Sequence, residues 1–187
     1  MAGMAAWNAR RRELLGGLGG TVLEIGAGDG ANFAHFRAGV DWLGLEPGRG
    51  HRRRLSRAAA AHGHRPEILD ARAERIPLPD ASVDAVVSTI TLCSVSDQPA
   101  VLAQVQRVLR VGGAFVYFEH VAAPPGTSLR RLQRTWGALV RPFGARCDPG
   151  RDTAHAIDTA GFRTVDMRWY VAAGPFHVPL IGGIAHV

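Results

Sequence analysis

Residues 22–32 read VLEIGAGDGAN, a short apolar run that breaks into three alternating glycines. A strand that runs straight into such a turn brings bare backbone up against a ligand, because glycine takes torsions and close approaches that other residues resist. The rest of the chain repeats the theme. Short apolar runs at 21–25, 41–46, 65–69, 83–88 and 113–119 read as strands, and the intervening stretches at 29–38, 49–62 and 97–110 read as helices. The last of these puts Val101, Leu102, Val105, Val108 and Leu109 on one stripe. Strand and helix in alternation specify a parallel sheet with helices on both faces.

Beyond residue 120 the pattern changes. The breaker Ala123-Pro124-Pro125-Gly126-Thr127 precedes an amphipathic helix over 127–141, carrying Leu129, Leu132, Trp136, Leu139 and Val140. A polar link around Cys147 to Arg151 leads to a helix at 152–160, ended by Gly161. Two last strands, near 163–171 and 178–187, are joined by Gly174 and Pro175, a connection short enough to favour an antiparallel pair. At 187 residues and 47% apolar, the sequence is read as one domain over 1–187, with 121–150 as a lid-like insertion.

Charge decides what the glycine turn holds. Gly26, Gly28 and Ala31 satisfy the dinucleotide pattern, and Glu46 lies where a ribose-binding acid is expected. Glu24 and Asp29, however, put two carboxylates beside the place where a pyrophosphate needs bare N–H groups. They suit a cofactor that brings an ammonium and a sulfonium, as S-adenosylmethionine does, and leave Glu46 for the ribose hydroxyls. Asp29 also has the plainer reading of a charge at a helix start.

Later blocks agree. Ala73-Glu74-Arg75-Ile76-Pro77-Leu78-Pro79-Asp80, then Ser82-Val83-Asp84-Ala85-Val86-Val87-Ser88, then Val108-Leu109-Arg110-Val111-Gly112-Gly113-Ala114-Phe115 together resemble the class I S-adenosylmethionine-dependent methyltransferases over nearly the full length. The resemblance implies a Rossmann-like three-layer α/β sandwich, with a seven-stranded, mostly parallel sheet whose last strand is antiparallel. It implies S-adenosyl-L-methionine as cofactor and S-adenosyl-L-homocysteine as product. Carried over residue by residue, Glu24, Gly26, Gly28 and Gly30 line the methionine and ribose end, Glu46 holds the ribose, and Pro47, Ala73 and Glu74 border the adenine. Ala27, Asn32, Ser88 and Thr89 complete the expected cofactor set.

Three further segments resemble a narrower group, the alkyl-thiol S-methyltransferases and their bacterial relatives. They are Ser88-Thr89-Ile90-Thr91-Leu92-Cys93-Ser94-Val95, Phe118-Glu119-His120-Val121-Ala122-Ala123, and Cys147 with Arg151. This resemblance implies methyl transfer to a small aliphatic thiol. Because imidazole titrates in the useful range, His120 is the candidate base, and Cys147 joins it as a candidate catalytic residue. Cys93 reads as a buried small apolar residue. The alternatives are O- or C-methylation of a natural product or quinone, or a non-catalytic S-adenosylmethionine-binding partner completed by another protein.

Other classes are set aside. No apolar run reaches the length of a membrane span and no signal pattern opens the chain, so a cytoplasmic protein with no membrane anchor is expected. The net charge of +6 comes from 22 basic residues, all arginine and spread along the chain. Nucleic acid is not the expected partner, because no Asn/Asp-Pro-Pro-Tyr/Phe motif follows the fourth strand. A homodimer is left open. Two cysteines are too few for a zinc site or a disulfide framework, the histidines show no ligand spacing, and no metal is expected.

Overall fold

The computed structural model describes residues 2–65, 67–140, 147–148, 150–172 and 177–187, with the backbone alone for 136–140. The strands are β1 (Ala2–Gly3), β2 (Thr21–Ile25), β3 (Asp41–Leu45), β4 (Glu67–Leu69), β5 (Val83–Thr89), β6 (Leu109–His120), β7 (Thr164–Val171) and β8 (Pro179–His186). The helices are α1 (Met4–Gly17), α2 (Arg49–Ala61), α3 (Gln98–Val108), α4 (Ser128–Val140) and α5 (Thr153–Asp158).

All eight strands join one sheet in the order β1-β7-β8-β6-β5-β2-β3-β4. β2 to β6 run parallel, and β8 lies antiparallel between β6 and β7. The expected seven strands are all present; the eighth is the short β1, which pairs in parallel with β7 through Ala2 and Tyr170. Parallel strands covered on both faces are apolar throughout rather than alternating, which is why β2 and β5 were plain in the sequence. In β2, Leu23 and Ile25 pack toward α3 and α5, with Val105 and Ile157. Val22 packs the other way, toward α1 and α2, with Leu15 and Leu55. The sandwich therefore has three layers.

Two expectations about helices fail. Residues 29–38 form successive turns, with Gly30 N bonded to Ala27 O, Phe33 N to Gly30 O and His35 N to Asn32 O. Side chains win over helix propensity there. Phe33 lodges against Trp42 with ring centroids 4.6 Å apart, and the Asn32 amide turns down into the sheet. The second failure is α1, which the sequence reading did not anticipate. Its Trp7 and Leu15 are buried, and Trp7 meets Phe118 edge to face at 5.2 Å. The remaining helices match closely. α3 carries the buried stripe expected of it, capped by Asp97, whose carboxylate accepts from Ala100 N at 3.0 Å. Leu109 begins β6 instead of ending α3. Trp136, Leu139 and Val140, as side chains, and Gly174 and Pro175 lie outside the described residues.

Candidate active site

A cleft of about 630 Å³ opens at the carboxyl ends of β2, β3, β4 and β5, where open α/β sheets place their ligands. Gly26 begins it. The backbone there turns with φ of +63°, and a side chain at this position would run into Thr91. Gly26 N donates to Leu45 O at 2.8 Å, tying the turn to β3. Glu46 forms the next wall. Its carboxylate accepts from Gly28 N at 3.0 Å and from Gly48 N at 2.7 Å. A carboxylate has about four acceptor positions, so two remain for a pair of ligand hydroxyls. Pro47, Ala73, Glu74, Ile90, Ser94 and Val95 complete most of the lining.

Five of the expected cofactor residues thus border the cleft: Gly26, Glu46, Pro47, Ala73 and Glu74. Glu24 does not border it. It is buried beneath the turn, accepting from Asn32 Nδ2 at 2.6 Å and Trp42 Nε1 at 3.0 Å. Burial raises its pKa to about 7, against the opposing pull of these two hydrogen bonds and of Arg11. Asn32 also bonds Thr89 Oγ1 and accepts from Arg11 Nε at 2.7 Å. Asn32, Thr89 and Arg11 therefore brace the turn from below. Ala27, Gly28 and Gly30 shape it, while Ser88 is wholly buried and donates to Glu119. Asp29 is turned away: His51 and Arg54 of α2 hold it at 2.7 and 2.8 Å, and these contacts lower its pKa. Glu74 is satisfied locally. Its burial works to raise the pKa, but bonds from the Ser96 hydroxyl and N–H hold it at about 2.

With the helix at 29–38 absent, the turn has no helix N-terminus to offer a pyrophosphate. The dipole and free N–H groups of such an end are what favour a dinucleotide's phosphates. What remains is a partly apolar trough with Glu46, His51 and Arg72 among its polar walls, within the usual size range of ligand sites.

The loop after β5 closes the other side. Ile90 takes φ of +52°, a left-handed torsion costly for a β-branched residue. Glu119, fully buried, holds it in place by accepting from Ser88 Oγ and from the backbone N–H groups of Thr91 and Leu92, the last two at 3.1 Å. Beyond this loop, Cys93, His120 and Cys147 meet. Cys93 Sγ and Cys147 Sγ are 3.1 Å apart, and Cys147 Sγ lies 3.5 Å from His120 Nδ1. The contact between the thiols, with burial, pushes Cys93 up, and the same contact holds Cys147 down. Asp148 N donates to Cys93 O at 2.9 Å, fastening this segment to the β5 loop. No ligand spacing in the sequence pointed to this group, because its members come from three separate segments.

The methyltransferase domain family matches residues 23–117, just over half of the chain. This chain belongs to the S-adenosylmethionine-dependent methyltransferase family. It is 35% identical to the thiol S-methyltransferase TMT1B of Mus musculus, over 86% of this chain and 70% of that protein. It is 32% identical to the thiol S-methyltransferase TMT1A of Homo sapiens, over 79% of this chain and 62% of the relative. The chain thus spans about two thirds of the length of these relatives. Among solved structures, the geranyl diphosphate C-methyltransferase of Streptomyces coelicolor shares the fold. Its TM-score is 0.73 at 15% identity, with 96% of this chain and 80% of that one covered. As a family member, the chain has S-adenosylmethionine as its cofactor, and the cleft's residues fit it. Among the described residues, no helix is long and apolar enough to cross a membrane.

Proposed function

We propose that this methyltransferase transfers the methyl group of S-adenosylmethionine to a small aliphatic thiol. The donor side rests on the cleft. Glu46 accepts from the ribose hydroxyls, Pro47 and Ala73 flank the adenine, and the turn from Gly26 to Gly30 gives the methionine end room to approach the backbone. The acceptor class is carried by the 32–35% identity to proteins named as thiol S-methyltransferases.

In-line displacement at a sulfonium methyl needs alignment and a dry approach, which together supply about 7–11 kcal/mol of the barrier. Ile90 and Val95 present apolar surface along the cleft, suited to an alkyl chain. Activation of the thiol is placed at His120 and Cys147, which stand together at the carboxyl edge of the sheet. Helix α4 is anchored by the buried Gln133, which accepts from Ala123 N at 2.7 Å and donates to Val121 O at 3.2 Å.

Incubation of the purified protein with S-adenosylmethionine and either a small alkanethiol or the matching alcohol tests this reading by mass spectrometry. Methyl thioether and S-adenosylhomocysteine from the thiol alone are expected. Methylation of the alcohol in preference would overturn the acceptor class, and bound cofactor with no turnover would point to an acceptor of another chemistry.

A further inference from the structure

We propose that Cys93, His120 and Cys147 form a three-ligand site for a thiophilic divalent ion, with zinc as the natural candidate, whose fourth position takes a thiolate. The second half of this proposal rests on the thiol reading; the ion site itself does not.

The donor set is two sulfurs and one imidazole nitrogen, with all three atoms within 4.8 Å of one another. Thiolate and imidazole select zinc over hard cations. In a tetrahedral zinc site, bonds of about 2.3 Å to sulfur and 2.0–2.1 Å to nitrogen separate neighbouring ligand atoms by roughly 3.5–3.8 Å. The separation of Cys147 Sγ from His120 Nδ1, 3.5 Å, already matches, and the two sulfurs at 3.1 Å need only part slightly to admit the ion. Three protein ligands leave one position free, the arrangement of zinc sites that do chemistry rather than merely hold a fold.

The surroundings support an ion. Ser94 Oγ lies 3.5 Å from Cys93 Sγ, and Ser94 also lines the cofactor cleft, so a single residue separates the cluster from the methyl donor's side. Its hydroxyl can donate to the Cys93 thiolate, the outer-sphere contact that steadies a metal-bound sulfur. Cys147 and His120 are half-buried, which leaves a way in for the ion and for a small fourth ligand.

The chemistry balances. An alkanethiol binds as thiolate and gives its proton to solvent. Its sulfur then forms a bond to the donor's methyl carbon while the carbon–sulfonium bond breaks. S-adenosylhomocysteine leaves neutral, and the thioether product, a weak ligand, gives up the position. His120 and Cys147 act here as ligands that make the acceptor nucleophilic.

The test uses the full chain, stripped of metal under reducing conditions and reloaded with zinc, or with cobalt(II) as the visible reporter. One zinc per chain after gel filtration is expected, together with the absorption spectrum of tetrahedral, sulfur-ligated cobalt. Cys147→Ser and His120→Asn should each weaken zinc binding by more than the ten- to hundred-fold typical of losing an outer partner. Retained S-adenosylmethionine binding, read by calorimetry, shows that these variants fold. Addition of a small alkanethiol should shift the cobalt spectrum, and the matching alcohol should not. Failure to retain zinc, equal retention by the variants, or formation of a Cys93–Cys147 disulfide in place of metal uptake would overturn the site. Full thiol turnover by metal-free protein would overturn the ion's role and leave the thiol reading intact. Zinc bound with neither a spectral response to thiol nor thiol turnover would overturn the thiol reading and leave the ion site.

Discussion

Two acids only 22 positions apart show how much burial decides. Glu46 has its carboxylate at the cleft, held by two backbone N–H groups, with acceptor capacity to spare. Each hydrogen bond from ligand to a charged acceptor is worth about 1.5–3 kcal/mol, so Glu46→Ala should weaken S-adenosylmethionine binding by roughly a hundred-fold or more in calorimetry. Unchanged affinity would show that the ribose sits elsewhere. Glu24 is different. Its folded pKa of about 7 lies above its ordinary value of 4.5, so the native state binds this proton more tightly than the unfolded chain does. Stability from this group is complete below about pH 4.5 and declines as pH rises toward about 7, by an amount on the order of 3 kcal/mol. Burial pushes Glu119 the same way, so the two effects reinforce each other. Urea denaturation across this window should show a fall in unfolding free energy with rising pH, and Glu24→Gln should make that fall shallower.

At the scale of elements, the central strands were legible because continuous burial leaves a continuous apolar run: TVLEI and VDAVVS each announce a strand with no alternation to interpret. The segment after the glycines misled for a physical reason. Ala31, Phe33, Ala34 and Phe36 have a helix-like distribution, yet Asn32 spends its amide on Glu24 and Thr89, and Phe33 spends its ring on Trp42. Such long-range partners leave no periodic trace. α1 was missed for the opposite reason. Its buried residues are Trp7 and Leu15, with Met4 and Leu14 partly buried beside them, and the intervening alanines and arginines and two terminal glycines dilute that stripe. Trp7 nonetheless closes the sheet's face against Phe118, and Trp7→Ala should cost about 3–5 kcal/mol in chemical denaturation. A loss below 1 kcal/mol would mean that α1 is not a working part of the core. Of the Cys93, His120 and Cys147 group, His120 and Cys147 were legible as candidate catalytic residues while Cys93 read as a buried small one; their meeting was not legible, because the members lie 27 and 54 positions apart and come together only through the loop after β5, the end of β6 and the segment before α5.

Across the whole molecule, the cleft is walled by the loops after β2, β3, β4 and β5, four neighbouring segments of one cooperative sheet. A ligand that bridges them binds the folded state alone. At a hundred times its dissociation constant, S-adenosylmethionine should therefore add about 2.7 kcal/mol to the unfolding free energy, and the gain should vanish in Glu46→Ala at the same concentration. Some of the surface arginines are paired: Arg52 with Asp70, Arg107 with Asp80 and Arg110 with Asp84, all at or below 2.7 Å. Exposed pairs of this kind contribute little to stability. One torsion belongs to this scale as well. Ile90 holds a left-handed backbone that glycine or asparagine would adopt more readily. A population of variants selected only for resistance to heat would drift toward those residues at position 90. The same drift would strip the cleft of its branched apolar wall, leaving sturdier descendants that hold the cleft's ligand less well.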